Sequence, residues 1–396
     1  MHCRNKSVTK ERNSEQQIQL QKKGNSEQQI RRLQTENELH KRKAQTFYDR
    51  KREAKKRAKT TTDFEAIAMD FQKNVYLPNI PTNDVYYLRQ LSMYSFNIHV
   101  LASSMALFYT YPENLAKKGS DEVCSFLFHF LMNYLQPEVK HLHIFCDSAG
   151  GQNKNFSMFR FMHFMVHTVK RLESIKITFP IRGHSYLECL QVHALHGTYC
   201  QTAIKNESIK ITFPIRGHSY LECDKNMGIV NLKKRMELPD EWYDLLRSSR
   251  NKPSPFTVVE VDQGMVKGWS EFFKDKFLRK CPFPTQTIRE ISCSKEHIRL
   301  LSFRSSYNGP WLQQPIMKAV KTNSNNLRLA ENEFFLPSSK YHALLAIDED
   351  KYMNLQILKG FCENPDAAVY YTQLQHEEKT KKKKKKQKQT RNNTYE

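Results

Sequence analysis

Three aspartates directly follow short apolar runs, and carboxylates in such places can hold a metal ion. Asp70 closes the run Ala66–Met69, and Asp147 closes the run Ile144–Cys146 just before a loop rich in glycine and asparagine. Asp224 ends a third segment of this kind. Oxygen ligands suit Mg²⁺, which keeps several waters and needs only one or two carboxylates per ion. The three acids therefore favour a nuclease or strand-transfer centre that uses Mg²⁺ or Mn²⁺.

The order of the predicted elements gives two of these acids a shared location. Hydrophobic periodicity predicts a strand, two further strands, a helix, a strand, a helix and a strand. These are Phe64–Asp70, Tyr94–Leu101, Met105–Tyr111, Asp121–Leu135, His141–Asp147, Asn155–Leu172 and Ser174–Phe179. This is the element order of the ribonuclease H-like fold, an α/β fold with a mixed sheet flanked by helices. Its first and fourth strands are adjacent, so Asp70 and Asp147 are expected to face each other across about 4.8 Å.

A third acid after the fifth strand would complete a cage for two divalent cations about 3.5–4 Å apart, the arrangement for in-line attack at phosphate. One ion activates water or a 3′-hydroxyl, and the other stabilises the leaving oxygen. Each acid also has a plainer explanation, because aspartate at the end of a strand often caps a turn or a helix.

The loop after Asp147 is a candidate contact for DNA. It lacks the Gly-Lys-Ser/Thr of a Walker loop, which disfavours nucleotide hydrolysis. We expect Gln152, Asn153 and Lys154 to approach DNA phosphate beside the metal ions. His218 is a candidate for contact with the scissile phosphate or for proton transfer, and a structural role for this histidine is the alternative.

Most of the positive charge lies in the two ends of the chain. The formal net charge is +22, with 18 basic and 7 acidic residues in residues 1–60 and 9 basic and 3 acidic residues in 377–396. These arms therefore carry +11 and +6, which leaves +5 for the middle of the chain. Basic arms of this kind track phosphate backbones, so DNA is the expected partner and the nucleus the expected location.

Cysteine usage and hydropathy exclude several classes of protein. The nine cysteines include no Cys-x-x-Cys pair, which argues against a disulfide framework and against a four-cysteine zinc site. No apolar run approaches the roughly 18 residues needed to span a bilayer, and the N-terminus lacks the apolar region of a signal peptide. We expect an intracellular protein that does not contact membranes.

Composition predicts one main domain with extensions. Residues 1–60 read as a long basic helical arm, either simply solvated or contacting DNA or import factors. Residues 61–235 form the ribonuclease H-like core, which contains a duplicated segment (173–223). Residues 236–376 read as an α+β appendage, a candidate substrate clamp, and 377–396 as a disordered lysine-rich tail. Within the appendage we expect helices at Leu238–Arg250, Gly264–Lys280, Asp348–Cys362 and Pro365–Leu374, and strands at Phe256–Val261 and within Ile288–Phe303.

Four segments resemble a transposable-element-derived family that is abundant in arthropod genomes and uncharacterised. They are residues 63–74, 144–167, 211–231 and 248–256, and the resemblance covers roughly residues 40–376. The core of that family is similar to a ribonuclease H-like DDE/D transposase domain. The resemblance implies Asp70, Asp147 and Asp224 as the acidic triad. It also implies Gln152, Asn153, Gly217 and His218 as residues of the accompanying motifs.

An internal duplication bears on the third acid. Glu173–Cys189 recurs without a change as Glu207–Cys223, and only the second copy is followed by an aspartate, Asp224. The two copies have the same strand propensity, so propensity cannot decide which of them forms the fifth strand. Chain continuity favours the first copy, whereas the position of Asp224 favours the second. A longer loop costs little closure entropy. We therefore expect residues 208–213 of the second copy to pair beside the strand that ends at Asp147.

The sequence thus predicts a transposase-like, metal-dependent enzyme of DNA cleavage and strand transfer, intact or decayed. The alternative is a non-enzymatic DNA-binding or chromatin-associated relic of a transposable element. An RNA-directed ribonuclease shares the fold and stays open, as does homo-oligomerisation.

Overall fold

The computed structural model describes residues 31–32, 35–36, 38–39, 41–180, 221–318 and 335–378. The chain divides into two compact units, residues 1–50 with 181–219 and residues 51–180 with 220–396. In the first unit the described residues are helical. The helix of residues 41–60 is labelled α1, and its residues from Lys51 onward belong to the second unit. All strands of the described residues lie in the second unit. It therefore carries the sheet on which the acids depend.

The second unit alternates strands and helices along the chain. The strands of its main sheet are β1 (Phe64–Phe71), β2 (Val75–Leu77), β3 (Leu91–Val100), β4 (Ala106–Pro112), β5 (His141–Cys146), β6 (Ser174–Thr178), β7 (Thr257–Glu260), β8 (Glu290–Ser294), β9 (Leu300–Arg304) and β10 (Leu312–Pro315). A separate pair is β11 (Ile347–Asp348) with β12 (His376–Glu377). The helices are α2 (Asp84–Tyr87), α3 (Ser120–Asn133), α4 (Phe156–His167), α5 (Glu222–Gly228), α6 (Pro239–Ser248), α7 (Trp269–Phe272), α8 (Glu349–Leu358) and α9 (Pro365–Thr372).

The main sheet is mixed. Within the described residues its order is β10-β9-β8-β6-β5-β1-β3-β4-β7, and β2 pairs with β3. Strand β5 runs parallel to both β1 and β6, whereas β1, β3 and β4 alternate in direction. The predicted fold class, an α/β protein with a mixed sheet flanked by helices, is confirmed at this level.

The two faces of the sheet bury different helices because the strands alternate their side chains. On one face Ile67, Ile144 and Ile177 face helices α3, α4 and α7 in the largest apolar core. On the other face α6 packs over β3 and β4 through Trp242, which is fully buried. The Trp242 indole donates to Ser95 Oγ at 3.3 Å and to Thr110 Oγ1 at 3.0 Å. Helices thus cover both faces of the sheet, and the acids lie where the central strands β1 and β5 end.

Strands from the region predicted as an appendage join this same sheet. Strand β7 pairs in parallel with β4 at one end of the sheet, and β8 pairs antiparallel with β6 on the other side. The two strands expected within Ile288–Phe303 are β8 and β9. Residues 236–376 therefore contribute to the central sheet of the second unit.

Two of the predicted helices differ from the structure. The helix expected at Asp121–Leu135 begins instead at Ser120 with Gly119 as N-cap, because the Glu122 carboxylate accepts from the Gly119 amide at 2.9 Å. Asp121 accepts hydrogen bonds from Ser270.

The helix expected over Gly264–Lys280 is wrong apart from the short α7. Trp269, Phe273 and Phe277 are spaced as on a helix, and all three are buried in the aromatic core. However, Phe277 forms an isolated bridge with Met317, and the Leu278 amide bonds the Ile316 carbonyl. Tertiary pairing therefore overrides the helical spacing.

Within the described residues no helix combines the length and the apolar character needed to cross a membrane.

Replacing Trp242 with alanine should cost roughly 3–5 kcal/mol of unfolding free energy, because a large buried side chain is lost and two hydroxyls lose their donor. Urea denaturation measures this cost. Tyr86, which is 85% exposed, provides the control, and Tyr86→Ala should change stability by less than about 0.5 kcal/mol. Equal effects of the two substitutions would contradict the anchoring role of Trp242.

Candidate active site

Asp70 and Asp147 lie side by side at the carboxyl ends of two central strands. The parallel register of β1 and β5 pairs Met69 with Cys146. Each aspartate is the next residue along its own strand, Asp70 within β1 and Asp147 directly after β5. The expected pairing of these two strands is confirmed, and it brings the two acids to one edge of the sheet.

Asp224 reaches the same edge from helix α5. This helix packs on β1 and β3, and the thiol of Cys223 lies 3.5 Å from the carbonyl oxygens of both Ala68 and Asn97. Cys223 is fully buried, so the residue immediately before Asp224 is fixed to the strand that carries Asp70. The third acid thus arrives on a helix rather than on a strand.

Both other acids act electrostatically on Asp70. Burial raises the pKa of Asp70 well above its ordinary value of 3.8, and the charges of Asp147 and Asp224 raise it further. The Phe71 amide and the Lys118 ammonium act in the opposite direction and do not compensate. The charged form of Asp70 is therefore unfavourable unless a proton or a cation compensates it.

These carboxylates do not form a closed ligand set. Within the described ranges no three His, Cys, Asp or Glu side chains are arranged to hold a metal ion. The two observations concern different distances, since charges interact across about 4–6 Å whereas Mg²⁺ binds oxygen at about 2.0–2.1 Å. All-oxygen donors suit a hard divalent cation, so the donor chemistry fits Mg²⁺ or Mn²⁺ even though the spacing is open.

Asp147 is held by the loop after β5. Its Oδ1 accepts from the Ala149 amide at 3.1 Å and from Asn153 Nδ2 at 2.6 Å. Asn153 is fully buried, and Asn155 caps α4 by accepting from the Met158 amide at 3.0 Å. The loop therefore fixes Oδ1 of Asp147 through two hydrogen bonds.

No protein-family model, curated protein or solved structure matches the chain. The function of the site must therefore be inferred from its own geometry and charge.

The other residues predicted for the site take different positions. Lys154, expected to contact phosphate, is only 2% exposed and donates to the Gln286 carbonyl at 3.0 Å. Asn153 is also buried, so both side chains shape the loop from inside and do not present themselves to a DNA strand. Gln152 is half-buried, and its carbonyl accepts from Asn155. Gly217 and His218 lie outside the described residues.

The fifth strand belongs to the first copy of the repeat. Strand β6, Ser174–Thr178, pairs in parallel with β5, so the expectation that residues 208–213 take this place is wrong. The short connection 168–173 explains the outcome, because the Glu173 amide already bonds the Lys140 carbonyl directly before β5. Asp224 nevertheless interacts with Asp70, since α5 has its own contacts with the sheet.

A buried polar cluster beneath α5 was not predicted from the sequence. Asn97 is the cross-strand partner of Asp70, and Asn226 Nδ2 lies 2.9 Å from Asn97 Oδ1 and 3.0 Å from His99 Nδ1. All three side chains are buried. The signal in the sequence is the alternation of Asn97 and His99 with apolar residues in a strand with two buried faces, where polar side chains need partners.

An ion pair secures the start of α5. Glu222 lies 3.1 Å from Lys51 of α1, and both side chains are largely buried. Burial raises the pKa of Glu222, but Lys51 and the hydrogen bonds to the carboxylate outweigh burial, so the net shift is downward. Arg250 approaches Asn226 Oδ1 at 3.4 Å from the far side. Asp224 is therefore flanked by residues that attach α5 to its surroundings.

Neutralising Asp70 should stabilise the metal-free protein at neutral pH. The pKa of Asp70 is higher in the folded protein than in the unfolded chain, where it is 3.8. The protonated side chain therefore contributes its full stability below pH 3.8, and this contribution is lost as the pH rises through the pKa of the folded state. Asp70→Asn abolishes that loss, so the variant should unfold at a higher temperature than the wild type at pH 7 in EDTA. The gap should close near pH 3.8. A lower unfolding temperature of the variant at pH 7 would refute the repulsion described here.

The buried imidazole of His99 should make the protein sensitive to acid. Burial lowers the pKa of His99 from 6.5 to about 4, so its contribution to stability is present above pH 6.5 and is lost as pH falls towards 4. The loss should reach about 3 kcal/mol, since each pKa unit is worth about 1.4 kcal/mol. His99→Gln should reduce the loss, whereas the same change at the exposed His297 should not. Chemical denaturation at several pH values measures both.

Proposed function

We propose that the protein is a transposase-like enzyme that cleaves DNA and transfers strands with the help of Mg²⁺ or Mn²⁺. The observation that carries this proposal is the electrostatic coupling of Asp70 to both Asp147 and Asp224 at the carboxyl edge of the central strands. Structural carboxylates are normally compensated, so a carboxylate whose pKa is raised by burial and by two other acids favours a cation site.

The strand order supports a ribonuclease H-like assignment. The central strands β4-β3-β1-β5-β6 place the first strand beside the fourth, with β1 parallel to β5 and antiparallel to β3. This is the arrangement anticipated for that fold from the element order. The origin in a transposable-element-derived family is part of the same proposal.

The roles of the residues follow from their positions. Asp70, Asp147 and Asp224 would hold the cations. Bound divalent ions supply activation of the attacking hydroxyl and stabilisation of the leaving oxygen. Asn153 and the Ala149 amide orient Asp147, and α5 carries Asp224 to the edge of β1. His218 is kept as a candidate for proton transfer. The basic arms would supply salt-dependent affinity for DNA, and nuclear location belongs to the same proposal.

The alternative is a non-enzymatic DNA-binding relic. The open spacing of the acids favours it, because the described residues include no closed set of metal ligands. The two functions differ in their response to divalent ions. A relic binds DNA equally well with and without Mg²⁺ and does not cleave it.

Asp147→Asn should lower Mg²⁺-dependent cleavage of a DNA duplex by more than about 100-fold, because loss of outer-shell support alone typically costs 10–100-fold. DNA affinity should change little, since the arms carry most of the positive charge. Gel-based cleavage and fluorescence anisotropy measure the two quantities.

Asp275→Asn is the matched control for this test, because Asp275 is exposed in the turn that follows α7. It should cleave like the wild type. Equal cleavage by the Asp147 variant and the wild type would remove Asp147 from the mechanism. Absence of cleavage by the wild type with both Mg²⁺ and Mn²⁺ would favour the relic.

A further inference from the structure

A patch of lysine and tyrosine side chains lies beyond the carboxyl end of β1, the strand that carries Asp70. It consists of Lys73, Tyr76, Tyr94 and Lys118, and we call it the Tyr76 strip. Lys73 follows β1, Tyr76 lies in β2, Tyr94 lies in β3, and Lys118 precedes α3. Strands β1 and β2 pair with the same side of β3, so the strip begins at the carboxyl end of β1 and continues along β2.

Lys118 connects the strip to the acids. Its Nζ lies 4.8 Å from the centre of the Phe71 ring and 5.3 Å from that of Tyr94. It donates to the Gln72 carbonyl at 3.3 Å and to Asn74 Oδ1 at 2.9 Å. The charges of Asp70 and Lys118 act on each other, which places the ammonium near the carboxylate.

The ammonium group of Lys118 has donor capacity left. A lysine ammonium has three N–H donors, and two acceptors are found for it within the described part of the chain. The third N–H can therefore bind a phosphate oxygen while the other two hold the side chain in place.

The tyrosines extend the strip away from the site. The antiparallel register pairs Tyr76 with Ser92, so alternation places Tyr76 and Tyr94 on the same face of the sheet. It is the face of Phe71 and Phe96, opposite to the face of Asp70 and Asn97, so the strip reaches the acids around the carboxyl end of β1, where Lys118 lies. Tyr94 is half-buried, and burial together with the charges of Glu113 and Tyr76 raises its pKa to about 12. Tyr76 is 45% exposed. An aromatic ring thus faces solvent beside a ring that is packed in place.

The charge of the strip is positive outside the acid site. Lys73 is exposed, and Lys118 is half-buried. Glu113, which also acts on Tyr94, is ion-paired with Lys351. Lysines suit a phosphate backbone, and exposed aromatic rings stack on bases that are not already stacked in a duplex. The combination fits single-stranded nucleic acid better than duplex.

We propose that the Tyr76 strip binds unpaired DNA nucleotides next to the bond that is cut, with a phosphate on Lys118 and a base on Tyr76. The inference rests on the proposed function, because it takes the acids beside the strip as the place of cleavage. It adds that the substrate is locally single-stranded, as a frayed or displaced DNA end is.

Photo-crosslinking tests the strip without requiring cleavage. The full chain is mixed in EDTA with oligo(dT) that contains 5-iododeoxyuridine, irradiated and digested, and the crosslinked peptides are mapped by mass spectrometry. We expect a crosslink at Tyr76. It should persist in Tyr76→Phe and disappear in Tyr76→Ala. Tyr86→Ala is the control, because Tyr86 is exposed but lies outside the strip.

Affinity measurements provide a second readout. Tyr76→Ala should weaken oligo(dT) binding about fivefold or more, since one base stacked on an aromatic ring is worth about 1–3 kcal/mol. Lys118→Gln should lower the slope of log affinity against log salt by about 0.7, the value for one phosphate contact on a single strand. Lys118→Arg should restore the slope, and thermal unfolding verifies that each variant is folded.

The outcomes separate this inference from the proposed function. A crosslink at Tyr76 in a protein that never cleaves DNA supports the strip and rejects the enzyme. Cleavage that depends on Asp147 without any Tyr76 crosslink rejects the strip alone. Unchanged oligo(dT) affinity in both Tyr76→Ala and Lys118→Gln overturns the inference, as does a larger loss of affinity for duplex or RNA than for single-stranded DNA.

Discussion

The parallel pairing of β1 with β5 is the constraint on which the rest of the site depends. Two parallel neighbouring strands end on the same side of a sheet. Residues that directly follow a pair of hydrogen-bonded neighbours therefore lie close together there. Asp70 and Asp147 come directly after Met69 and Cys146 in this way. The helices on both faces bury the apolar side chains of the same strands. The acids therefore project from an element that the hydrophobic core keeps rigid.

Repulsion among the acids would separate them if α5 were attached only by its chain connections. The helix is instead fixed by the Cys223 thiol, by Asn226 and by the Glu222–Lys51 ion pair. These are short-range contacts in a buried setting, where hydrogen bonds are strong and loss of a partner is costly. They hold α5, and with it Asp224, against β1 and β3.

The sequence was sufficient for features that depend on local pattern. Apolar runs located the central strands within a few residues, and the element order implied that β1 and β5 are neighbours. The polar cluster of Asn97, His99 and Asn226 could not be found in this way, because it is formed by residues that are far apart in sequence. The spacing of Trp269, Phe273 and Phe277 was misleading, since buried aromatic residues can recur at helical intervals in a segment that pairs with distant backbone.

The choice between two identical repeat copies was outside the reach of local energetics, and the short path from α4 into β6 decided it. The described residues of the two copies therefore form different elements. Residues 174–178 of the first copy form β6, while Glu222 and Cys223 of the second begin α5. Both elements belong to the second unit, one as a strand and the other as the start of a helix. A substitution at Ile177 would disturb β6, whereas one at Cys223 would disturb the attachment of α5, although both positions lie in copies of the same seventeen residues.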